Sequence, residues 1–505
     1  MNGEKGQALP LAIMALALGT LLVAPFLGHA STAIIGSHTY YDEMVYRNAC
    51  DAGVEHGIWR LVYGGLGVSI PNVGNHITYS LAEAINGVTP TVTVTTNSTG
   101  GGGGTTGHIT GIIDTLDFDP SSGYLPEIIH VSGNIYAIVY QGASGDGFIR
   151  TVAIDSSGVI GNSYIDSLEF DTNDNKYCDI VHVSGNIYAI AYQGQGDDGF
   201  VKTVSISASG DIGNSVIGSM EFDTSNGREP SIIQVSFNVY AIAYRGQGNK
   251  GYLKTINIDG NGIMGSGAIK TLEFDATNGQ MPDIIHISGN TYAISYQGQS
   301  GNGFVKTINI DINGVIGSAA IDTLEFDTID CAYPNIIYVS AGVYAVAYAG
   351  SGNDGWVKTM TIDANGNIGN SVIDALEFDA SNGRTPVITY VSDSIYAIAY
   401  QGSGNDGVVK TVSIDTSGNI DNAATDTFTF DSSAGYEPSI LPVASGILAI
   451  AYRGPGNDGY VITIGVTTGG GVNKYKIVAS AGDTTIEAYV IIDVTTASII
   501  SWKIK

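Results

Sequence analysis

Residues Asp179–Gln193 read DIVHVSGNIYAIAYQ. Two apolar runs flank Gly185-Asn186, a pair suited to a two-residue turn, so the stretch predicts a β-hairpin. The same pattern returns along the chain. Phe-Asp recurs at Phe118-Asp119, Phe170-Asp171, Phe222-Asp223, Phe274-Asp275, Phe326-Asp327, Phe378-Asp379 and Phe430-Asp431, spaced by 52 residues without an insertion. Tyr-Ala-Ile-Ala-Tyr, or a close variant, keeps that period from Tyr136, Tyr188, Tyr240, Tyr292, Tyr344 and Tyr396, and Leu448 opens the last copy. A fixed period of this length marks a repeat architecture, in which each unit buries its apolar face on its neighbours.

Each copy predicts four strands, in the second copy Asp179–Ser184, Ile187–Gln193, Phe200–Ile206 and Ile217–Phe222. Four strands per unit fit blades around an axis better than a solenoid, so the expected fold is all-β, a seven-bladed β-propeller. The order Pro, apolar strand, Ser-Gly-Asn, Ile-Tyr-Ala-Ile-Ala-Tyr loosely resembles the TolB-type propeller blade. The first copy starts with a fourth-strand sequence, 112–119, and the last, 439–466, ends after its third strand. The two ends are therefore expected to complete one blade and close the ring, which removes exposed edges.

Composition agrees with a turn-rich β protein. The chain has 505 residues, 69 of them Gly, and only 13% are charged; the glycine share is about twice the ordinary one. A net charge of −28 argues against nucleic acid as a partner, because phosphate binding needs a basic surface. Cys50, Cys178 and Cys331 form no CxxC pair, which predicts buried thiols rather than a zinc site. A basic residue recurs on the third strand at Arg150, Lys202, Lys254, Lys306, Lys358 and Lys410. Hairpin register would set Lys202 opposite Glu221 as a structural cross-strand pair.

The flanks read differently. No charged residue occurs from Gly6 to Tyr41, and Ala8–Leu27 is long enough to cross a bilayer. Either Gly28-His29-Ala30 is a signal-peptide cleavage site, or the cut follows Gly6 and the helix stays as an anchor. Apolar residues at helical spacing between Thr39 and Tyr63 favour the second. Gly6-Gln7-Ala8-Leu9-Pro10 and Ala49-Cys50-Asp51-Ala52-Gly53-Val54-Glu55 resemble type IV pilin-like proteins, specifically the PilX and Tad-type minor pilins. The resemblance implies an N-terminal membrane helix, a small head with an antiparallel sheet, and other pilin-like subunits as partners. Leu11 stands where that family's glutamate is expected, which favours a minor component. The resulting division is a leader at 1–6, a helix at 7–63, and a first head part at 64–99. A glycine linker at 100–107 precedes the propeller at 108–467, and a second linker at 468–473 leads to the rest of the head at 474–505. This places the protein at the cell surface, the propeller outside and the helix in the membrane.

Candidate binding residues lie in the loops that follow Phe-Asp, where two positions change from copy to copy. They include Tyr124, Lys176, Tyr177, Arg228, Tyr333, Arg384 and Tyr436, and such Tyr- and Arg-rich variation suits a carbohydrate or protein ligand. Three carboxylates at the first-strand openings, Glu127, Asp179 and Asp283, are expected to rim the central channel. Asp-rich Gly loops at Asp146, Asp197, Asp198, Asp354, Asp406 and Asp458 suit Ca²⁺, though Asp and Gly are also ordinary turn residues and the pattern names no cofactor. No nucleophile elbow, phosphate loop or zinc-binding helix motif appears. The expected function is adhesion or extracellular ligand binding rather than catalysis. A propeller glycosidase or lyase acting on extracellular polysaccharide is the alternative.

Overall fold

The computed structural model describes residues 45–47, 49–58, 61, 76–81, 84, 87–98, 106–468, 473–482, 484–493 and 496–504. The chain divides into two compact units, Met1–Gly102 with Gly470–Lys505, and Gly103–Gly469.

In the second unit the described residues form seven four-stranded antiparallel sheets, a propeller-like repeat fold. We number them I to VII by their first strands, which begin at Tyr124, Lys176, Arg228, Gln280, Ala332, Arg384 and Tyr436. Sheet II shows the pattern: Lys176–Ser184, Ile187–Gln193, Gly199–Ser205 and Gly218–Asp223, paired in that order. The first strands of successive sheets contact one another, and that of sheet VII contacts that of sheet I. The fourth strand of sheet VII is Ile109–Asp119, from the start of the unit, which pairs with Gly459–Val466.

The second strands explain why the sheets stack. In sheet II, Ala189 and Ala191 line one face and Tyr188, Ile190 and Tyr192 the other, all of them buried. The alanine face leaves room for Tyr240, Ile242 and Tyr244 of sheet III, and one apolar core spans the pair. Burying an isoleucine of this kind stabilises by about 1.5–3 kcal/mol, repeated at each boundary.

Polar ties cross the same boundaries. Thr203 donates to the Gly262 carbonyl at 2.7 Å and Thr411 to the Gly107 carbonyl at 2.6 Å, while Thr463 of sheet VII donates to Gly158 of sheet I. The basic residues of the third strands make the second tie, and here the expected pairing is corrected. Lys202 stands opposite Ser219, and Glu221 faces Phe200. The Lys202 ammonium instead reaches the preceding sheet, 2.8 Å from the Phe170 carbonyl and 2.6 Å from Asp171. Lys254, Lys306, Lys358, Lys410 and Arg150 pair likewise with Asp223, Asp275, Asp327, Asp379 and Asp119. The same aspartates accept Tyr hydroxyls from the next sheet, such as Tyr296 to Asp275 at 2.8 Å. Phe-Asp is thus a latch between sheets.

The first unit holds a five-stranded sheet in the order His76–Ser80, Thr91–Ser98, Asn473–Ala481, Thr484–Asp493, Thr496–Ile504. Its two sequence-distant halves meet where Thr91 pairs with Ser480. Residues 49–58 are helical, and Cys50 and Val54 pack with Val92, Ile477 and Ala488. The expectation of a membrane-anchored protein at the cell surface is corrected: among the described residues no helix is long and apolar enough to cross a membrane. The helical segment that is described packs its apolar residues on a sheet. The leader, the apolar run 8–27 and the pilin-like start lie outside the described residues.

Candidate functional site

Each first strand begins with a defect in its ladder. Lys176 pairs with Gln193 and Asp179 with Ala191, so three residue steps on the first strand face two on the second. The extra residue forms a bulge, which bends a strand and re-aims a side chain. It is left-handed and never glycine: Leu125, Tyr177, Glu229, Met281, Tyr333, Thr385 and Glu437 have φ between 46° and 52°. A side chain in this region costs on the order of 1–2 kcal/mol, and strain of this sort gathers at functional sites.

These bulged residues meet between sheets. The Leu125 N–H donates to Glu437 at 3.0 Å, the Met281 N–H to Glu229 at 2.8 Å, and the Tyr333 N–H to the Met281 sulfur at 3.3 Å. Tyr177 of sheet II and Tyr333 of sheet V are joined by a side-chain hydrogen bond. Burial, with the charges of Glu229 and Glu437, raises the pKa of the Tyr333 phenol. The structure therefore brings Tyr177 and Tyr333 together.

The residue before each bulge sits further out. Tyr124 and Tyr436 clasp the Arg453 guanidinium, which lies 4.4 and 4.0 Å from their ring centres. Arg453 also makes a forked pair with Glu437, at 3.1 and 2.9 Å. Arg245 repeats this in sheet III, 2.7 Å from Glu229 and 2.8 Å from Gln280. Arg228 pairs with Asp197 of sheet II, and Lys176 with Asp174 at 2.9 Å. Arg384 is exposed. Sequence reasoning placed Glu229 and Glu437 at the variable loop positions but missed Arg245, Arg453 and the pairing. The available signal was that Glu at the bulge and Arg at the second-strand end occur together, in two copies only.

Glu127, Asp179 and Asp283 lie one layer deeper, half-buried along the first strands. The two aspartates bridge sheets by capping amides, Asp179 accepting the Ile232 N–H at 2.7 Å and Asp283 the Ile336 N–H at 2.8 Å, whereas Glu127 meets the Ser439 side chain of sheet VII. Burial first, and then the Asp179 charge, push Glu127 up to about 8. Burial pushes Asp179 up to about 7 and Asp283 up to about 6, each against the hydrogen bonds it accepts. His130, His182 and His286 bond the carbonyls of Gly133, Gly185 and Gly289 at 2.9 Å. Among the described residues no three His, Cys, Asp or Glu side chains converge as metal ligands. In the Gly loops Asp197 is held by Arg228 and Gln193. Cys50, Cys178 and Cys331 are buried and unpaired, and burial raises the pKa of all three.

No protein-family model matches the chain, and no curated protein does. Solved structures similar to it include BBS1N in complex with ARL6DN, at 9% identity and TM-score 0.45, covering 72% of this chain and 98% of that one. Sqt1 from Chaetomium thermophilum is 14% identical at TM-score 0.44, over 73% of this chain and 96% of its own. A protein of unknown function from Dyadobacter fermentans is 9% identical at TM-score 0.41, over 70% of this chain and 99% of its own. None of these supports the pilin-like reading of the N-terminus.

Proposed function

We propose that residues 108–467 are a seven-bladed β-propeller that works as a binding module, taking a carbohydrate or protein ligand on the bulged end of its channel. One observation carries this reading. The latch, the threonine tie and the apolar stack repeat almost unchanged, whereas chemical variation gathers at one end, on seven left-handed residues that glycine would fit with less strain. Some of these side chains tie neighbouring sheets, but their identity changes from copy to copy where a purely structural rim would repeat. Tyr and Arg are also the side chains that anchor protein interfaces.

Probing a glycan array and a displayed peptide library with the full-length protein tests the proposal. Retention without product release, lost in a Tyr124→Ala/Tyr436→Ala variant, supports it. Turnover of a bound glycan that disappears in Glu127→Gln or Asp179→Asn would overturn it in favour of an enzyme.

A further inference from the structure

The boundary between sheets VII and I is built differently from the others. There alone a tyrosine opens the first strand on both sides, Tyr436 and Tyr124. The Arg453 guanidinium lies between the two rings, 4.0 and 4.4 Å from their centres. The other first strands open with Lys, Arg, Gln or Ala. The arginine does not require this company. Arg245 holds Glu229 at 2.7 Å beside Arg228 and Gln280, without a tyrosine at either opening. The tyrosine pair is therefore an addition to a frame that stands without it.

Arg453 also pins the rings in place. Its Nε and Nη2 donate to Glu437 at 3.1 and 2.9 Å and its Nη1 to Asn457 at 3.0 Å, so its charge is spent within the protein. Each tyrosine gives one face to the guanidinium. Both rings stay half-exposed, and among the described residues neither meets a second ring or cation. Their hydroxyls make no hydrogen bond among the described residues either. Tyr140 and Tyr452, of the same two sheets, spend theirs on Asp119 and Asp431. Two rigid rings with free hydroxyls remain, an amphipathic contact surface with little entropy left to lose.

Resting on the binding role proposed above, we infer that this tyrosine pair takes an uncharged sugar, a pyranose ring lying on an outer tyrosine face with its hydroxyls on the phenols. The electropositive C–H groups of such a ring suit the negative face of an aromatic. A phenol can both donate to a sugar hydroxyl and accept from one. Charge decides among the alternatives. Arg453, paired with Glu437, has no net charge to offer an acid. The residue after Asn457 is Asp458, and after burial its charge is what raises the pKa of Asp117 on the adjoining strand. This flank is therefore acidic, and it repels a uronate, a sulfated glycan or an acidic peptide. A basic peptide fits less well than a sugar, because both rings already face the Arg453 cation.

The test screens the full-length protein on an array of neutral, uronate, sulfated and amino-sugar glycans, beside a displayed peptide library. A retained neutral oligosaccharide is then titrated by calorimetry. Its affinity should hold from about 0.05 to about 0.5 M NaCl, since no charge pair forms. Tyr124→Phe and Tyr436→Phe keep the ring faces and the contact with Arg453. Each should keep the melting temperature and weaken binding about threefold to tenfold through the lost hydroxyl. Tyr124→Ala and Tyr436→Ala should weaken it further. Retention of charged glycans alone, or an affinity that collapses with salt, overturns the inference while leaving the binding role intact. So does a basic peptide held in place of any sugar, or a neutral glycan indifferent to all four substitutions. Silence of both the glycan array and the peptide library overturns the inference and the binding role together.

Discussion

Asp275 shows what a single residue does in this protein. Burial raises its pKa, but hydrogen bonds from Thr277, then from Lys306 and Tyr296, outweigh that and hold it well below the usual carboxylate range. Lys306 lies 2.9 Å away in the next sheet, and both side chains are largely covered. Lys306→Met leaves this carboxylate unneutralised and should lower stability by about 1–3 kcal/mol in urea unfolding at pH 7. A folded pKa below the unfolded one contributes stability above about pH 4 that is lost as pH falls. The gap between wild type and variant should therefore shrink below that pH. Glu127 has the opposite sign. Burial and the Asp179 charge push it up to about 8, so the folded state holds its proton longer and stability declines as pH rises from about 4 towards 8. Glu127→Gln should flatten that decline, by on the order of 2 kcal/mol at pH 8. A urea midpoint that falls as steeply in the variant would show that Glu127 is not the group responsible.

At the scale of elements, the strands were legible in the sequence and their defects were not. Tyr-Ala-Ile-Ala-Tyr alternates large and small at period two, and Gly185-Asn186 marks its turn, so hairpins follow from local chemistry. The bulge leaves no such mark, since Leu125, Tyr177 and Met281 are not residues that favour left-handed backbone. It carries the first strand of sheet II back to Lys176, three residues before the expected start at Asp179. The latch escaped for another reason. Hairpin register sees only the neighbouring strand, whereas the partner of Lys202 lies in the preceding sheet. Thr385 tests the cost of the bulge. It is β-branched, has φ 46°, and its hydroxyl is buried without a partner. Asn tolerates left-handed backbone far better, so Thr385→Asn should raise stability by about 0.5–1 kcal/mol. An unchanged or lower melting temperature would mean that the threonine methyl makes packing worth more than the strain.

The repeat unit as a whole depends on its first strand. Ile109–Asp119 is the outer strand of sheet VII, and its neighbourhood holds both polar ties that cross the ends of the chain. Gly107 accepts from Thr411, and Asp119 receives Arg150 and Tyr140 of sheet I. Asp426 binds His108 and the Ile109 N–H, fixing the strand to sheet VI. The boundary between sheets VI and VII lacks the cation of the latch, since Ile462 stands where the other sheets carry Lys or Arg and Asp431 accepts the Tyr452 hydroxyl alone from across it. Removing residues 109–119 would therefore do more than delete one strand. It exposes Gly459–Val466 as an unpaired apolar edge, the kind that templates association, and strips the latch from sheet I. The deletion variant should unfold in two steps, with sheets VI, VII and I failing first, and should elute from a sizing column as aggregates. Full-length protein should give one transition. If the variant stays monomeric with a single transition near the wild-type midpoint, the sheets are held by their apolar stacks alone and closure adds nothing to stability.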